Sequence, residues 1–306
     1  MARTPLGMSR SLQQALASGQ PVVTVEITPP LGADPSRALE AAESLRGRVQ
    51  AFNVTDGSRA VMRMSSLALC RLLLERGLEP VLQLGCRDRN RIALQADLLG
   101  AHALGIRNVL CLTGDPVRAG NQPGARGVFD LESVRLLQQA QQLNGGIDPL
   151  GKPLTDGASA LFPGAAADPQ SGSWSGLKSR TRRKVQAGAR FLQTQMVMDA
   201  DALKRFCAEI AEPLDVPVLA GVFLLKSAKN AAFINRVVPG AQIPQQLIDR
   251  LDAAADPREE GIRIAAEQLQ AYSAIASGVH LMAVKAEQSL VRVLDLAGLP
   301  QVVAQV

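Results

Sequence analysis

Short runs of β-branched and aliphatic residues alternate with longer runs of helical periodicity from about residue 20 onward. Because such alternation is typical of parallel βα units, it predicts an α/β protein. Eight units favour a (β/α)8 TIM barrel over a doubly wound sheet. We expect one barrel domain over residues 21–306, preceded by an N-terminal extension of residues 1–20. The predicted strands are Val22–Thr28, Ala51–Thr55, Pro80–Cys86, Asn108–Thr113, Ala160–Pro163, Phe191–Met198, Val216–Leu224 and Val279–Val284.

Capping residues mark several helix starts, because Asp and Ser side chains accept hydrogen bonds from the first free N–H groups. Asp130 is expected to cap a helix that runs to Leu143. An extra helix, Pro244–Ala254, is predicted before the last βα units. The other predicted caps are Asp34, Asp199, Ser227 and Asp256.

Two further predictions concern packing and loops. The helix over Met62–Glu75 is expected to present an apolar face of Leu67, Leu72 and Leu74. Residues 164–176 are rich in Gly, Ser and Ala and predict a mobile loop. Long loops in compact domains are more often lids or binding loops than spacers.

Composition describes an ordinary globular chain of 306 residues, 47% hydrophobic and 20% charged. No apolar run is long enough to span a membrane, and the N-terminus has no apolar signal core. The four cysteines are scattered, and His102 and His280 are the only histidines, so a zinc site is not expected. His102 has helical neighbours and is expected to be structural. Scattered free thiols favour a cytoplasmic location.

The net charge is +5, and one basic cluster, Lys178–Lys184, stands out. Only 3% of residues are aromatic, which leaves few stacking surfaces for bases, so nucleic acid is not an expected partner. A phosphate-bearing small molecule fits the cluster better, although a plain solvated helix face is also consistent with it.

Glu26 lies in the apolar run VVTVEITPP, which two prolines then end. Barrel enzymes place functional groups at the carboxyl ends of strands, and a buried carboxyl with a raised pKa can act as a general acid. Glu26 could instead be structural, paired with an arginine or a loop. The expected strand-end residues are Glu26, Thr55, Asp56, Gln83, Cys86, Thr113, Gly114, Asp115, Gln195 and Lys226.

These strand ends offer acids and amides but almost no histidine. Asp115, in the segment TGDP, could stabilise a developing cation, but Gly-Asp-Pro is also a common turn. Gln83 and Gln195 could equally be satisfied core amides. No GxGxxG follows the first strand, which argues against a Rossmann dinucleotide site.

Several segments resemble the methylenetetrahydrofolate reductase family, most closely the reductase half of its bifunctional homocysteine methyltransferase members. The resemblance covers about residues 22–299. The segments that carry it are VEITPP (25–30), CRDRNRIALQADLLGAHALGIRNVLCLTGDP (86–116), GKPL (151–154), KVQAGARFLQTQ (184–195) and REEGI (258–262).

The resemblance implies a barrel that binds FAD at its mouth, with NADH or NADPH as co-substrate and a tetrahydrofolate as substrate. It implies that Glu26 is the general acid for ring opening, that Asp115 favours a cationic intermediate, and that Gln195 contacts folate and nicotinamide. The residues that it assigns to the flavin or its phosphates are Thr55, Gln83, Leu112, Thr113, Gly114, Asp115, Phe129, Arg180 and Lys184.

The chain also departs from the family pattern. Gln83, Thr113 and Phe129 replace a histidine, an arginine and a tyrosine, respectively. Ala228 stands where a ligand-stacking phenylalanine is usual, and the FAD-binding Tyr-Pro-x-x-His segment becomes Phe162–Ala165. These departures keep two alternatives open. The same redox pair could run oxidatively, or the chain could be a folate-binding, partner-dependent subunit with weak or absent flavin.

Two further expectations concern the assembly of the protein and the surroundings of Glu26. The family typically self-associates, so a homo-oligomer is expected. If Glu26 is the general acid, it must lie in an apolar wall at the barrel mouth with no cation beside it, because an adjacent positive charge would lower its pKa.

Overall fold

The strands close into a parallel barrel in which each strand pairs with its neighbours in chain order and β1 pairs with β8. This closed strand order confirms the predicted (β/α)8 TIM barrel. The computed structural model describes residues 11–299 apart from 239 and 285. The strands are β1 (Val22–Ile27), β2 (Ala51–Val54), β3 (Pro80–Gly85), β4 (Asn108–Leu112), β5 (Phe162–Ala167), β6 (Phe191–Met196), β7 (Val218–Phe223) and β8 (Gly278–Met282).

Helices cover the outside of the barrel, and most begin at a side-chain cap. Ser227 and Asp199 cap their helices as predicted, each accepting hydrogen bonds from backbone N–H groups. The helices are α1 (Leu12–Ala17), α2 (Ser36–Glu43), α3 (Ser66–Glu75), α4 (Arg91–Ala103), α5 (Ser133–Asn144), α6 (Trp174–Gln186), α7 (Ala200–Phe206), α8 (Ala228–Val237), α9 (Gln245–Ala253), α10 (Pro257–Ser273) and α11 (Leu290–Ala297).

The inward-facing side chains of the barrel form an apolar lower layer and a polar middle layer. Leu12 of α1 belongs to the lower cluster, with Val22, Phe162 and Phe191, so α1 closes the bottom of the barrel. Residues 1–10 of the predicted extension lie outside the described residues. Above this layer, Thr24 Oγ1 lies 2.9 Å from Nδ1 of the buried His280.

Helices α8 and α9 pack against each other near the carboxyl ends of β6 and β7. They share a separate apolar cluster with Met196 and Met198 at the end of β6 and with Leu225 after β7. The helix that packs on β7 and β8 is α10. The predicted extra helix is therefore present, as half of a helical hairpin at the barrel mouth.

Strand β5 runs to Ala167, so residues 164–167 are not the mobile loop that the sequence predicted. Gly and Ala are poor strand formers, and their local preference concealed the strand. The barrel interior needs a small residue here, because a Cβ on Gly164 would overlap the ring of Phe191. That ring stacks on Phe162 at 5.4 Å between centroids.

One other local prediction was wrong. Asp130 does not cap α5; it pairs with Arg91, and Glu132 accepts the N–H groups at the start of that helix. The predicted leucines of α3, Leu67, Leu72 and Leu74, are partly buried and pack against the core. The fully buried residues of that helix are Ser66, Leu69, Cys70 and Leu73.

Candidate active site

Glu26 lies one residue before the end of β1 and is partly buried at the barrel mouth. Its flanking residues Val25 and Ile27 face the outer core, so strand alternation turns Glu26 inward. Burial raises the pKa of Glu26 to about 7, and the negative charge of Glu287 adds to this rise. A carboxyl with this pKa can hold a proton near neutral pH and release it to a bound ligand.

We expected no cation beside Glu26, but the charge of one arginine does reach this carboxyl. Arg63, in the segment between β2 and α3, exerts an opposing charge that lowers the pKa of Glu26. The Arg63 guanidinium donates to the Pro29 carbonyl oxygen at 2.9 Å. Burial and Glu287 outweigh Arg63, so the net change in pKa is upward and the acid remains usable.

Asp115 lies three residues beyond the end of β4 and is exposed at the same mouth. Its carboxylate accepts the backbone N–H of Arg59 at 2.7 Å. The Asp115 carboxylate also interacts electrostatically with the guanidinium of Arg87. The Gly-Asp-Pro segment therefore presents an oriented carboxylate, in contact with the loop that follows β2.

Gln195 is exposed near the end of β6, where the strand contains a β-bulge. Between Gln193 and Met196 the register against β7 shifts, and Thr194 Oγ1 accepts the N–H of Gly221 at 2.8 Å. A Cβ on Gly221 would overlap the Gln195 carbonyl oxygen, so the close approach requires glycine. Bulges commonly redirect side chains beside active sites.

Gln83 occupies a different position from Gln195. It is buried in the middle layer of the barrel, and its amide N–H donates to Asn53 Oδ1 at 2.8 Å. Asn53 in turn donates to Gln193 Oε1 at 2.5 Å. Gln83 therefore has the environment of a satisfied core amide, held against Asn53, whose backbone pairs with that of Glu26.

Three of the residues assigned to the cofactor lie at the ends of β2 and β4. Thr55 is buried, and its Oγ1 has no hydrogen-bond partner among the described residues. Leu112 is partly buried at the end of β4. Thr113 Oγ1 accepts the N–H of Ser133 at 3.1 Å, so this hydroxyl helps to fix the start of α5.

Two more of these residues have left-handed backbone conformations. Gly114 has φ +92°, and a Cβ there would lie 3.0 Å from the Arg87 Cβ, so both the conformation and the space favour glycine. Phe129 has φ +43° and is 40% exposed. Its ring is therefore open to solvent at the rim.

The basic helix α6 supplies Arg180 and Lys184. Arg180 is exposed and donates to Ser171 Oγ at 3.1 Å. Lys184 is partly buried, and its ammonium donates to the Ala166 carbonyl oxygen of β5 at 2.7 Å. Burial lowers the pKa of Lys184, and the charge of Glu132 opposes that change. Lys184 therefore directs a positive charge at the carboxyl end of β5.

Four residues that act on the two acids were not predicted from the sequence: Arg59, Arg63, Arg87 and Glu287. No local pattern marks them, because each lies outside the strands and reaches the site through tertiary packing. Cys86 is buried, and Asp56 pairs with Arg89 at 2.6 Å, so neither is a free group at the rim. His102 accepts the N–H of Ala160 at 3.0 Å, as a structural residue would.

Within the described ranges, no group of three or more His, Cys, Asp or Glu side chains is placed to hold a metal ion. No helix of the described chain is long and apolar enough to cross a membrane.

The fold and this site define a (β/α)8 barrel whose carboxyl-end rim carries two acids, an amide and a partly buried lysine, the usual location of a barrel enzyme's active site. Comparison with known proteins then gives the family. The chain belongs to the methylenetetrahydrofolate reductase family, whose model matches residues 11–298.

Curated relatives carry the same family name. The chain is 26% identical over 228 residues to methylenetetrahydrofolate reductase 2 of Saccharomyces cerevisiae, covering 72% of this chain and 36% of that protein. It is 25% identical over 276 residues to 5,10-methylenetetrahydrofolate reductase of Pectobacterium carotovorum, covering 86% of each chain. The chain thus spans about a third of the yeast relative and most of the bacterial one.

Solved structures share the barrel at low sequence identity. A Clostridium thermocellum protein, described as binding two copies of 5-methyl-5,6,7,8-tetrahydrofolic acid, superposes with a TM-score of 0.65 at 14% identity. That alignment covers 94% of this chain and 97% of the other. A 2,3-dimethylmalate lyase gives a TM-score of 0.52 at 13% identity, covering 93% and 82%. These likenesses concern the fold.

Proposed function

We propose that the protein reduces 5,10-methylenetetrahydrofolate to 5-methyltetrahydrofolate. The observation that carries this proposal is the partly buried Glu26 carboxyl at the barrel mouth, with a pKa of about 7. Opening the folate's bridging ring requires a proton at its nitrogen, and the chain offers this acid with no histidine at the rim. Family membership and the curated relatives named as reductases support the same reaction.

A solved structure with the same barrel also supports the proposed substrate. The Clostridium thermocellum barrel is described as binding a methylated tetrahydrofolate, the product of this reaction. An open mouth with an exposed amide, Gln195, suits a ligand with several ring N–H and carbonyl groups.

Glu26, Asp115 and Gln195 have distinct roles in the proposed mechanism. Glu26 gives its proton to N10 of the folate as the C–N10 bond breaks, which leaves a cationic iminium at N5. Asp115, oriented by the Arg59 N–H, stabilises that positive charge at the reacting centre. Gln195 orients the folate. Hydride addition to the iminium carbon then gives the N5-methyl group, and Glu26 regains a proton from solvent.

The residues at the rim fit FAD, which when bound supplies the hydride and is re-reduced by NADH or NADPH. Thr55 Oγ1 is a buried polar atom without a hydrogen-bond partner among the described residues, so a ligand could satisfy it. Lys184 and Arg180 would hold the diphosphate, because both put cationic donors at the carboxyl end of β5. Leu112, Thr113, Gly114 and Phe129 would line the flavin.

The test compares Glu26→Gln with Glu40→Gln, an exposed glutamate on α2 that serves as the matched control. Purified wild type should show flavin absorbance and convert methylenetetrahydrofolate to the methyl form. Glu26→Gln should lose folate reduction and keep NAD(P)H oxidation with an artificial acceptor. Folate reduction at the wild-type rate in Glu26→Gln would refute the role of Glu26.

The same preparation discriminates between the two alternatives. Faster turnover of methyltetrahydrofolate with an electron acceptor than of methylenetetrahydrofolate with NAD(P)H would favour the oxidative direction. A colourless protein that binds tetrahydrofolate but stays inactive with added FAD would favour a folate-binding subunit.

A further inference from the structure

Two loops at the barrel mouth are joined by a set of contacts that we call the β2–β4 clamp. It consists of residues 57–62, after β2, and residues 115–121, after β4. The Arg59 N–H donates to Asp115 Oδ2 at 2.7 Å, and the Met62 N–H donates to Asn121 Oδ1 at 2.9 Å. Between these two bonds, Gly120 lies so close to Ala60 that a Cβ on it would overlap the Ala60 carbonyl oxygen.

The backbone of the clamp is strained. Arg59 and Ala60 have φ values of +56° and +55°, in the left-handed region that residues with a Cβ rarely adopt. Such conformations persist only where the surrounding contacts determine them, and they concentrate at functional sites. In this conformation the Arg59 N–H is directed at the Asp115 carboxylate.

A buried arginine secures the base of the same loop. Arg87 donates to the Gly57 carbonyl oxygen at 3.0 Å, and its charge also acts on Asp115. Arg87 is only 6% exposed, and its guanidinium is held by Asp88 at 2.6 Å. The loop after β2 is therefore fixed at Gly57, at Arg59 and at Met62, while Asp115 itself lies on an exposed turn.

We propose that the β2–β4 clamp positions the Asp115 carboxylate for the reaction, with Arg59, Ala60 and Gly120 as positioning residues. Arg59 acts through its backbone N–H, so the geometry of the loop matters more than its side chain. The inference rests on the proposed function, in which Asp115 stabilises the iminium. A misplacement of about 1 Å at a reacting centre can cost roughly a hundredfold in rate.

Gly120→Ala tests the clamp, because the added methyl must push the loops apart. Gly124→Ala is the matched control, because it makes the same change just beyond the clamp. Within the described residues, no contact lies within 4 Å of the new Cβ. Gly120→Ala should slow the folate half-reaction at least about tenfold and leave NAD(P)H oxidation with an artificial acceptor within about twofold of wild type. Gly124→Ala should match wild type in both reactions.

Asn121→Ala gives a second variant without steric overlap, should Gly120→Ala not fold. It removes the acceptor of the Met62 N–H and should slow the same half-reaction selectively. Equal folate rates in Asn121→Ala, Gly120→Ala and Gly124→Ala would overturn the clamp. A wild-type protein that reduces no folate would instead overturn the proposed function.

Amide hydrogen exchange tests the contact without any activity. Asp115→Ala should speed exchange at the Arg59 amide, because its acceptor is gone, and Gly120→Ala should do the same. Gly124→Ala should leave that exchange at the wild-type rate. Unchanged exchange at Arg59 in Asp115→Ala would show that the hydrogen bond does not hold the loop and would overturn the proposal.

Discussion

Substitutions of Glu287 and Arg63 should move the pKa of Glu26 in opposite directions. Glu287 raises this pKa and Arg63 lowers it. Glu287→Gln should therefore lower the pKa of Glu26, and Arg63→Gln should raise it. Arg63→Lys keeps the positive charge and is the matched control for the second variant.

The pKa of Glu26 sets the size of the effect. With a pKa of about 7, half of Glu26 is protonated at pH 7, against roughly 0.3% for a glutamate with the ordinary pKa of 4.5. Raising the pH from 7 to 8 then reduces the acid fraction roughly fivefold. At pH 7.5, a change of roughly 0.5 in the pKa of Glu26, in either direction, changes the protonated fraction two- to threefold.

The assay is the pH profile of the folate half-reaction. The alkaline limb should lie near pH 7 in wild type, at lower pH in Glu287→Gln and at higher pH in Arg63→Gln, with Arg63→Lys close to wild type. Limbs that stay in place in both variants, or that move in the same direction, would refute the electrostatic reasoning.

Three further predictions concern stability and cofactor retention. Because the folded pKa of Glu26 lies above its unfolded value, its contribution to stability is complete below pH 4.5 and is lost as pH rises to 7. Glu26→Gln should therefore remove this pH dependence of the free energy of unfolding, measured by chemical denaturation. At pH 8 its free energy of unfolding should exceed that of wild type by at most about 3 kcal/mol, and by less where solvent screens the charge. Gly261→Ala in α10 should destabilise the fold, because its Cβ would overlap a backbone carbonyl oxygen. Gly100→Ala in α4 places its Cβ more than 4 Å from any contact in the described part of the chain and should stabilise the fold by about 0.5–1 kcal/mol; thermal unfolding measures both. Lys184→Met should lower the ratio of flavin to protein absorbance after dialysis, while Lys204→Met, on an exposed face of α7, should retain the wild-type ratio.

The alternation of strands and helices was sufficient to predict the barrel, because each βα unit carries its own local signal. Ser227 shows how local that signal is: its side chain caps α8 where the sequence placed it. Strand β5 shows the opposite case. Its Gly164 leaves room for the ring of Phe191, which is distant in sequence, so local propensity does not report that requirement.

In the candidate site too, some features follow from local sequence and others depend on tertiary packing. The position of Glu26 near the end of β1 follows from the strand pattern, but the charges of Arg63 and Glu287 reach it from separate segments. Gln83 and Gln195 look alike in sequence. The bulge beside Gly221 accompanies the exposure of Gln195, whereas Gln83 lies one layer lower against Asn53.

The most direct test of Glu26 as the acid is anaerobic mixing of the reduced flavoprotein with 5,10-methylenetetrahydrofolate, followed by the return of oxidised flavin absorbance. We expect rapid return in wild type and in Glu40→Gln, and a rate lower by about a hundredfold or more in Glu26→Gln. Return at the wild-type rate in Glu26→Gln would contradict the assignment of Glu26 as the acid. No return in wild type would contradict the proposed reaction itself.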